Sequence, residues 1–416
     1  MSFFDFSEEM KALSEKALKK CKERFEEIDR VTEFNQQKVL KAFINNGVCE
    51  SHFAGSTGYG YGDRGREVLD ELTAEIFGAE DAIIRHSFAS GTHTLGVMLF
   101  GVLRPGDNVL CVTGTPYDTI HSVIGLTGEG MGSLKDFVTF DIVELLPDGT
   151  PDYQGIKEAL SKKTYKAAYI QRSRGYSLRP SLLHSDIKKL VDLVKANSKA
   201  FVMLDNCYGE FTEYNMPSEA GVDLFAGSLI KNPGGGIAKC GGYIAGRKDL
   251  VELCTYRMTT PGVGREVGAT LGNSRDIFMG LFHAPHVTGE ALKVAVFTAA
   301  LFEEMGYEVS PDYSEPRADI IQSIKLQTPE KLIAFCRGLQ SGSVVDSFVV
   351  PEPWAMPGYD SDVIMAAGAF TNGSSIELSA DAPLREPFAV WLQGGLNFHS
   401  AKVGVLLGAQ RVLDIN

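Results

Sequence analysis

Lys231 lies between two apolar runs, in residues 225–246, FAGSLIKNPGGGIAKCGGYIAG. A free ammonium between buried strands is unfavourable, because its desolvation must be offset by a paired charge or avoided by losing the charge. Lysine forms Schiff bases with carbonyl compounds, and such a bond removes the charge. The glycines at 234–236 would let the backbone approach a bulky group closely. The stretch therefore predicts a lysine that binds a carbonyl cofactor, for which pyridoxal phosphate (PLP) is the candidate.

Three upstream motifs could hold the other parts of PLP: its phosphate, its ring nitrogen and its ring face. Ser90-Gly91-Thr92 lies where a predicted strand turns into a helix, so backbone N–H groups and hydroxyls would face an anion. Asp205 ends the apolar run AFVMLDN, where a carboxylate could keep a pyridine nitrogen protonated. Tyr117, in TGTPYDTIH, could stack on the ring. The structural alternatives are a helix cap, a capping aspartate and a core tyrosine.

A glycine-rich loop at residues 51–67, SHFAGSTGYGYGDRGRE, carries Tyr59, Tyr61, Arg64 and Arg66. The loop is too polar for a core strand and too rich in glycine for a helix. Guanidinium and phenol groups are good phosphate donors, so the loop suits an anionic ligand. A merely solvated loop fits the same residues equally well.

The segments that must position these motifs alternate between apolar strands and helices. Strand-like runs occupy residues 81–87, 108–113, 136–146, 165–173, 200–206 and 222–230. This alternation predicts an α/β fold with a mostly parallel sheet and helices on both faces.

The segments on either side of that region differ from it. Helical spacing predicts one or two amphipathic helices over residues 7–45, which could pack on a partner subunit or on their own chain. Beyond about residue 265 a long helical region is followed by short strands and helices. We expect an N-terminal helical arm (1–50), a large domain (51–265), and a helical connection with a smaller α+β domain (266–416).

Composition narrows the partners and the compartment. The 416 residues carry a net charge of −13, which argues against a nucleic-acid-binding surface. Seven scattered cysteines without a C-x-x-C pair favour a reducing compartment and provide no zinc motif. No run of about 18 apolar residues is present. The sequence therefore predicts a cytoplasmic protein that acts on a small molecule and needs neither nucleic acid, membrane nor metal.

Six motifs together resemble the fold-type-I PLP-dependent enzymes, the aspartate-aminotransferase-like superfamily. They are GSTGYGYGDRGRE, RHSFASGTHTL, TGTPYDT, QRSRGYS, LDNCYGEF and SLIKNPGGGIAKCGGYIAG, and they span about residues 50–250. Within that superfamily the chain is similar to the Cys/Met metabolism branch of cystathionine and methionine lyases. It most resembles the methionine γ-lyase-related group often labelled aluminium-resistance proteins. The resemblance implies a PLP-dependent carbon–sulfur lyase that forms a homodimer or homotetramer with active sites shared between subunits.

The resemblance also implies roles for individual residues. Catalysis would involve Lys231, which carries PLP, together with Tyr117 and Tyr59. The cofactor would be held by Ser90, Gly91, Thr92, Tyr117, Ser173, Asp205, Ser228 and Lys231. One tyrosine and one arginine of the glycine-rich loop, Tyr59 or Tyr61 with Arg64 or Arg66, would reach the phosphate of the adjacent subunit. Arg385 and Arg174 would bind the substrate, although a surface position is the alternative for Arg385.

The implied reaction begins when the freed Lys231 amine, its pKa lowered by burial, removes the α-proton of an amino acid. A thiol then leaves the β or γ carbon, and ammonia and a 2-oxo acid follow. An aminotransferase or an aldolase would grip PLP in the same way, and a non-catalytic PLP protein is a further alternative. Ser228-Leu-Ile-Lys231 also matches the S-x-x-K of penicillin-recognising hydrolases, but their S-D-N and K-T-G motifs are missing from the sequence.

Overall fold

The computed structural model describes residues 3–128, 130–355 and 361–415. The helices in these ranges are α1 Glu8–Asn45, α2 Arg64–Phe77, α3 Gly91–Val102, α4 Asp118–Ile124, α5 Tyr153–Lys162, α6 His184–Asn197, α7 Lys248–Met258, α8 Ser274–Glu304, α9 Pro329–Ser341 and α10 Phe398–Leu413. The strands are β1 Asp81–Arg85, β2 Asn108–Cys111, β3 Thr139–Ile142, β4 Ala167–Gln171, β5 Phe201–Asp205, β6 Leu224–Ser228, β7 Gly242–Gly246, β8 Val309–Ser310, β9 Gln322–Lys325, β10 Val363–Ala367, β11 Ser379–Pro383 and β12 Ala389–Gln393. Among the described helices, none has the length and apolar character needed to cross a bilayer.

The larger sheet has seven strands in the order β1-β7-β6-β5-β4-β2-β3. Neighbouring strands from β6 to β3 pair in parallel, whereas β7 runs antiparallel to both β1 and β6. Successive side chains point to opposite faces, so Met203 packs in the apolar core on one side and Leu204 in the core on the other. Because both faces are covered, the prediction of a mostly parallel sheet between helical layers is confirmed.

The carboxyl ends of the parallel strands bring the predicted cofactor residues together. Gln171 pairs with Asp205, and Asp205 pairs with Ala226, two residues before Ser228 ends its strand. Parallel neighbours end at the same edge of a sheet, which is where open α/β sheets bind ligands. The topology therefore places Asp205 and the chain leading to Lys231 at one edge.

A smaller antiparallel sheet, in the order β10-β11-β12-β9-β8, lies in the C-terminal part of the chain. It shares an apolar core with α9, α10 and the second half of α8. The first half of α8 packs instead into a core of the large sheet, through residues such as Phe278 and Leu281. This helix therefore joins the two cores, while the domain boundaries near residues 50 and 265 stay a prediction.

The glycines after Lys231 allow helix α8 to pack closely against the backbone, so the space beside them holds a helix and not a ligand. A Cβ on Gly235 would lie 2.5 Å from the carbonyl oxygen of Gly280 in α8, and one on Gly280 would collide with Gly234. Gly235 also has a φ of +55°, a conformation that favours glycine. The expectation that a bulky ligand approaches the backbone here is therefore wrong, because α8 occupies the space.

The N-terminal segment forms one helix, α1, rather than two. Its first turn is capped by the Ser7 hydroxyl, which accepts from the Met10 amide. The helix packs along α8 through buried residues such as Ala17 and Cys21. It also contacts the large domain, where Asn35 Nδ2 donates to the Glu213 carbonyl at 3.0 Å. Of the two expectations for this arm, the structure supports packing on its own chain.

Candidate active site

A cleft of about 950 Å³ lies at the carboxyl edge of the large sheet, where the smaller sheet faces it. The large domain contributes Gly91, Thr92, Tyr117, Asp205, Cys207, Tyr208, Ser228 and Lys231 to its lining. The smaller domain contributes Met365, Ala367, Ser375, Ser379, Asp381 and Gln393. Five of the positions predicted from sequence to bind the cofactor, besides Lys231 itself, therefore line one cavity.

Lys231 directly follows strand β6 and extends over an aromatic ring. Its Nζ lies 3.8 Å from the centre of the Tyr208 ring. Burial lowers the pKa of the Lys231 ammonium, but nearby acidic groups raise that pKa by more, so it lies above its ordinary value; these groups are Cys207, Tyr208, Asp205 and Glu210. The lowered pKa expected from sequence concerns the amine released from a bound cofactor, so it stays a prediction.

Asp205 is a buried carboxylate at the end of strand β5, with 7% of its surface exposed. Burial raises its pKa, while the Lys231 ammonium acts in the opposite direction. Its Oδ1 accepts a hydrogen bond from the Cys207 amide at 3.0 Å. A cationic ring nitrogen beside Asp205 would offset the remaining desolvation of this carboxylate.

The start of α3 and the end of β6 form a small polar cradle. The Ser90 hydroxyl caps the helix by accepting from the His93 amide at 3.0 Å, and Thr92 Oγ1 donates to Thr119 Oγ1 at 2.8 Å. A Cβ added at Gly91 would lie 3.3 Å from the Ser228 Cβ. The buried Ser228 hydroxyl has no hydrogen-bond partner among the described residues. An unpartnered hydroxyl beside a helix N-terminus fits the phosphate of PLP.

Aromatic side chains form one wall of the cleft. Tyr117 precedes α4, and its ring centre lies 5.9 Å from that of Tyr176. The Tyr176 ring in turn lies 5.7 Å from Trp391, at an angle of 67°. Tyr117 stands near Asp205 and Lys231 in the cavity lining, which suits a ring-stacking role, and the wall continues from there toward the smaller sheet.

Several site residues were missed by the sequence analysis. Tyr208 follows Asp205 by three positions in LDNCYGEF, and its hydroxyl donates to Ser375 Oγ at 3.1 Å. Asp381 Oδ2 accepts from Tyr176 Oη at 2.7 Å and from Gln393 Nε2 at 3.0 Å. The only sequence signal for Asp381 is an acidic residue inside the small, apolar run SADAP, which signals a buried carboxylate that needs partners.

Two neighbouring residues of the QRSR segment have side chains with different surroundings. Ser173 lines the cleft and its hydroxyl donates to Asp319 Oδ2 at 2.9 Å. The Arg174 guanidinium instead donates to the carbonyl and hydroxyl of Ser310, at 2.8 Å and 3.0 Å. The structure brings Ser173 to the site and turns the charge of Arg174 away from it.

Two other predicted arginines also lie outside the cleft lining. Arg66 is 2% exposed, and it donates to the carbonyls of Gly268 at 2.8 Å and Glu266 at 3.1 Å. These bonds tie α2 to the loop that precedes α8 and hold the guanidinium inside its own chain. Arg385 is exposed in the turn between β11 and β12, four residues beyond Asp381.

The two predicted tyrosines of the glycine-rich loop lie at the surface. Tyr59 is 73% exposed and Tyr61 is 66% exposed, and their rings stack on each other at 5.5 Å. Arg64, at the start of α2, is exposed as well. These side chains do not line the cleft of their own chain as far as the structure describes it.

A lysine after a parallel strand, a buried strand-end carboxylate and a helix N-terminus beside an unpartnered hydroxyl define a PLP-dependent enzyme of fold type I. A similar fold occurs in the PLP-dependent protein YhfS of Escherichia coli, with a TM-score of 0.64 over 93% of this chain and 97% of that one, at 15% identity. The family model for methionine gamma-lyase matches residues 10–413. The chain belongs to this family of PLP-dependent lyases.

Two relatives align with the chain over nearly its whole length. One is the crystal structure of a carbon-sulfur lyase involved in aluminum resistance from Clostridium novyi NT. It is 50% identical, covers 98% of this chain and 96% of its own, and has a TM-score of 0.94. The other is the protein YnbB of Bacillus subtilis strain 168, which is 48% identical over 379 residues, 90% of each chain.

Proposed function

We propose that this protein is a carbon–sulfur lyase that releases a thiol from a sulfur-containing amino acid by β- or γ-elimination. The observation that carries the proposal is the lysine at the carboxyl edge of the large sheet, in one cavity with Asp205, Ser228 and the start of α3. Its support from relatives is the family match and the carbon-sulfur lyase of Clostridium novyi. When bound, PLP supplies an electron sink for the carbanion formed at the α carbon.

The chain's own residues would hold the cofactor at four points. Lys231 would bind its carbonyl carbon through Nζ, and Asp205 would keep the ring nitrogen protonated. Tyr117 would cover the ring face. The amides at the start of α3 would hold the phosphate, together with the hydroxyls of Thr92 and Ser228.

The proton transfers would fall to Lys231. Its Nζ would take the α-proton of the bound amino acid, and a hydroxyl such as that of Tyr117 would give a proton to the departing sulfur. For a cysteine conjugate the carbon–sulfur bond breaks and water is consumed, giving pyruvate, ammonia and the free thiol. A γ-substituted substrate likewise consumes water and gives 2-oxobutanoate, ammonia and the thiol.

The test loads the purified protein with PLP and supplies L-cysteine, L-cystathionine or L-methionine, followed by thiol and 2-oxo acid assays. We expect thiol and oxo acid in equal amounts, and Lys231→Ala should abolish both products and the yellow colour of the loaded protein. Lys239→Ala is the matched control, because that lysine lies in the same segment but pairs with Asp276 at the surface, at 2.9 Å. A Lys231→Ala protein with wild-type turnover would refute the proposal.

The same assay separates the rival reactions. An aminotransferase would convert the cofactor to pyridoxamine phosphate and release oxo acid without thiol. An aldolase would leave these three amino acids unchanged, because none has a β-hydroxyl group, and would release an aldehyde and glycine only from a β-hydroxy amino acid such as L-threonine added to the assay. A non-catalytic PLP protein would keep its colour and give no product from any of the three amino acids.

We further propose that the active sites are shared within a homodimer or homotetramer. Tyr59, Tyr61 and Arg64 are exposed and do not line the described cleft of their own chain, so they are free to reach the phosphate of a neighbour. Arg64 takes this role in place of Arg66, whose guanidinium is held internally. A cytoplasmic location is supported by the free state of the seven cysteines, all within the described ranges.

A further inference from the structure

Beside the proposed cofactor residues, the cleft lining includes an acidic and aromatic box formed by Asp381, Tyr176, Trp391 and Gln393. Asp381 is 4% exposed and lies in strand β11, opposite Trp391 of β12 in the sheet register. Tyr176 Oη and Gln393 Nε2 both donate to one oxygen, Oδ2, at 2.7 Å and 3.0 Å. These bonds hold the carboxylate in the cavity lining, and its Oδ1 has no hydrogen-bond partner among the described residues and can accept from a ligand.

The cleft lining carries more negative than positive side chains, and the excess lies at the box. Its described lining holds one cation, Lys231, and two carboxylates, Asp205 and Asp381. Asp205 interacts with Lys231 and faces the proposed position of the ring nitrogen. Asp381 has two neutral hydrogen-bond donors but no cation among the described side chains that hydrogen-bond to it. Burial accordingly raises its pKa to about 6, so it is ionised at pH 8.

We propose that the box recognises a cationic group on the leaving thiol, so that the preferred substrates are sulfur amino acids whose departing arm carries an ammonium. This inference rests on the proposed function and names the substrate class of that site. Lys231 acts on the amino-acid part of the substrate. Tyr117 connects that part of the cleft with the box, because its ring lies 5.9 Å from the Tyr176 ring.

The box fits a cation for two physical reasons. A desolvated carboxylate gains most from an opposite charge, because burial has removed the water that would otherwise stabilise it. Aromatic rings attract ammonium groups through their quadrupoles, and both rings are close to the carboxylate: Tyr176 hydrogen-bonds to it and Trp391 lies opposite Asp381 in the sheet. An apolar arm would leave Asp381 unpaired, and an acidic arm would set two anions against each other.

The experiment compares three arms of similar size on the PLP-loaded enzyme at pH 8. The substrates are S-(2-aminoethyl)-, S-propyl- and S-(2-carboxyethyl)-L-cysteine, each paired with its homocysteine homologue so that either elimination is detected. We expect kcat/KM to fall in the order aminoethyl, propyl, carboxyethyl. A hydrogen bond to a charged group is worth about 1.5–3 kcal/mol, so the aminoethyl-to-propyl ratio should drop by about 10- to 150-fold in Asp381→Asn.

Asp362→Asn is the matched control, because it removes the same charge from an exposed side chain next to strand β10. It should keep the wild-type order of substrates. The wild-type order tests the inference even if Asp381→Asn does not fold.

The outcomes separate the inference from the proposed function. If no substrate releases a thiol, the lyase assignment itself is refuted. If all three arms react equally well, or if the propyl arm is preferred, the lyase stands and charge recognition is overturned. If Asp381→Asn lowers kcat/KM by the same factor for the aminoethyl and propyl substrates, the role of Asp381 is to position Tyr176. The charge proposal is then overturned as well.

Discussion

Replacing Ser228 by alanine should change the stability of the protein and its affinity for PLP in opposite directions. The Ser228 hydroxyl is 1% exposed and has no hydrogen-bond partner among the described residues. An unsatisfied buried hydroxyl is destabilising, so its removal should raise the free energy of unfolding of the cofactor-free protein by about 1 kcal/mol. A serine whose hydroxyl is hydrogen-bonded within the protein would show the opposite sign.

The affinity effect follows from the proposed contact with the phosphate. A hydrogen bond to a charged acceptor contributes about 1.5–3 kcal/mol, which corresponds to a rise of about 10- to 150-fold in the Kd for PLP. Equilibrium dialysis of PLP against the cofactor-free protein measures that Kd, and thermal unfolding of the same sample measures its stability.

Ser274→Ala is a close control for this experiment. The Ser274 hydroxyl at the start of α8 is also buried and also lacks a described partner, but Ser274 is not part of the cleft lining. It should produce the same small gain in stability without changing the Kd for PLP. An unchanged Kd in Ser228→Ala, or a clear loss of stability before PLP is added, would refute the phosphate assignment.

Two further predictions concern pH and subunit sharing. Burial raises the pKa of Glu210 from 4.5 to about 7, so its ionisation costs stability, and this cost grows as the pH rises from 4.5 through about 7. Glu210→Gln should therefore stabilise the protein more at pH 8 than at pH 5, by at most roughly 3 kcal/mol in urea unfolding, while the exposed Glu158→Gln should show no such difference. Co-expression of Arg64→Ala with Lys231→Ala should restore about a quarter of wild-type activity, because half of the dimers then contain one intact shared site. If the mixture shows no more activity than the two variants assayed separately, Arg64 acts within its own chain.

The sequence by itself determined the parts of this protein that depend on local pattern. The alternation of apolar strands with helices predicted the mostly parallel sheet, which the strand pairing confirms. A glycine after a helical run commonly ends the helix, and Gly78 caps α2 with a φ of +62°. Lys231 and Asp205 could be selected because each follows an apolar strand, and parallel strands end at a common edge.

Tertiary structure decided which of the candidate side chains reach the cleft. Arg66, Arg174 and Arg385 are all chemically able to bind an anion, but two donate to oxygens of their own chain and the third is exposed in a turn. Sequence gives the type of a side chain and its place on an element. It does not give the direction of a long, flexible side chain, which is set by the acceptors that the folded chain brings near.

The acidic and aromatic box depended wholly on tertiary structure. Tyr176 is separated from Asp381 by 205 positions, and the two residues meet only because the smaller sheet packs over the carboxyl edge of the larger one. The raised pKa of Lys231 also depends on folding, since its four acidic neighbours lie in residues 205–210 and meet Lys231 only because strands β5 and β6 pair side by side. Local pattern can identify a reactive residue, but the electrostatic field around it is a sum over residues that only folding brings together.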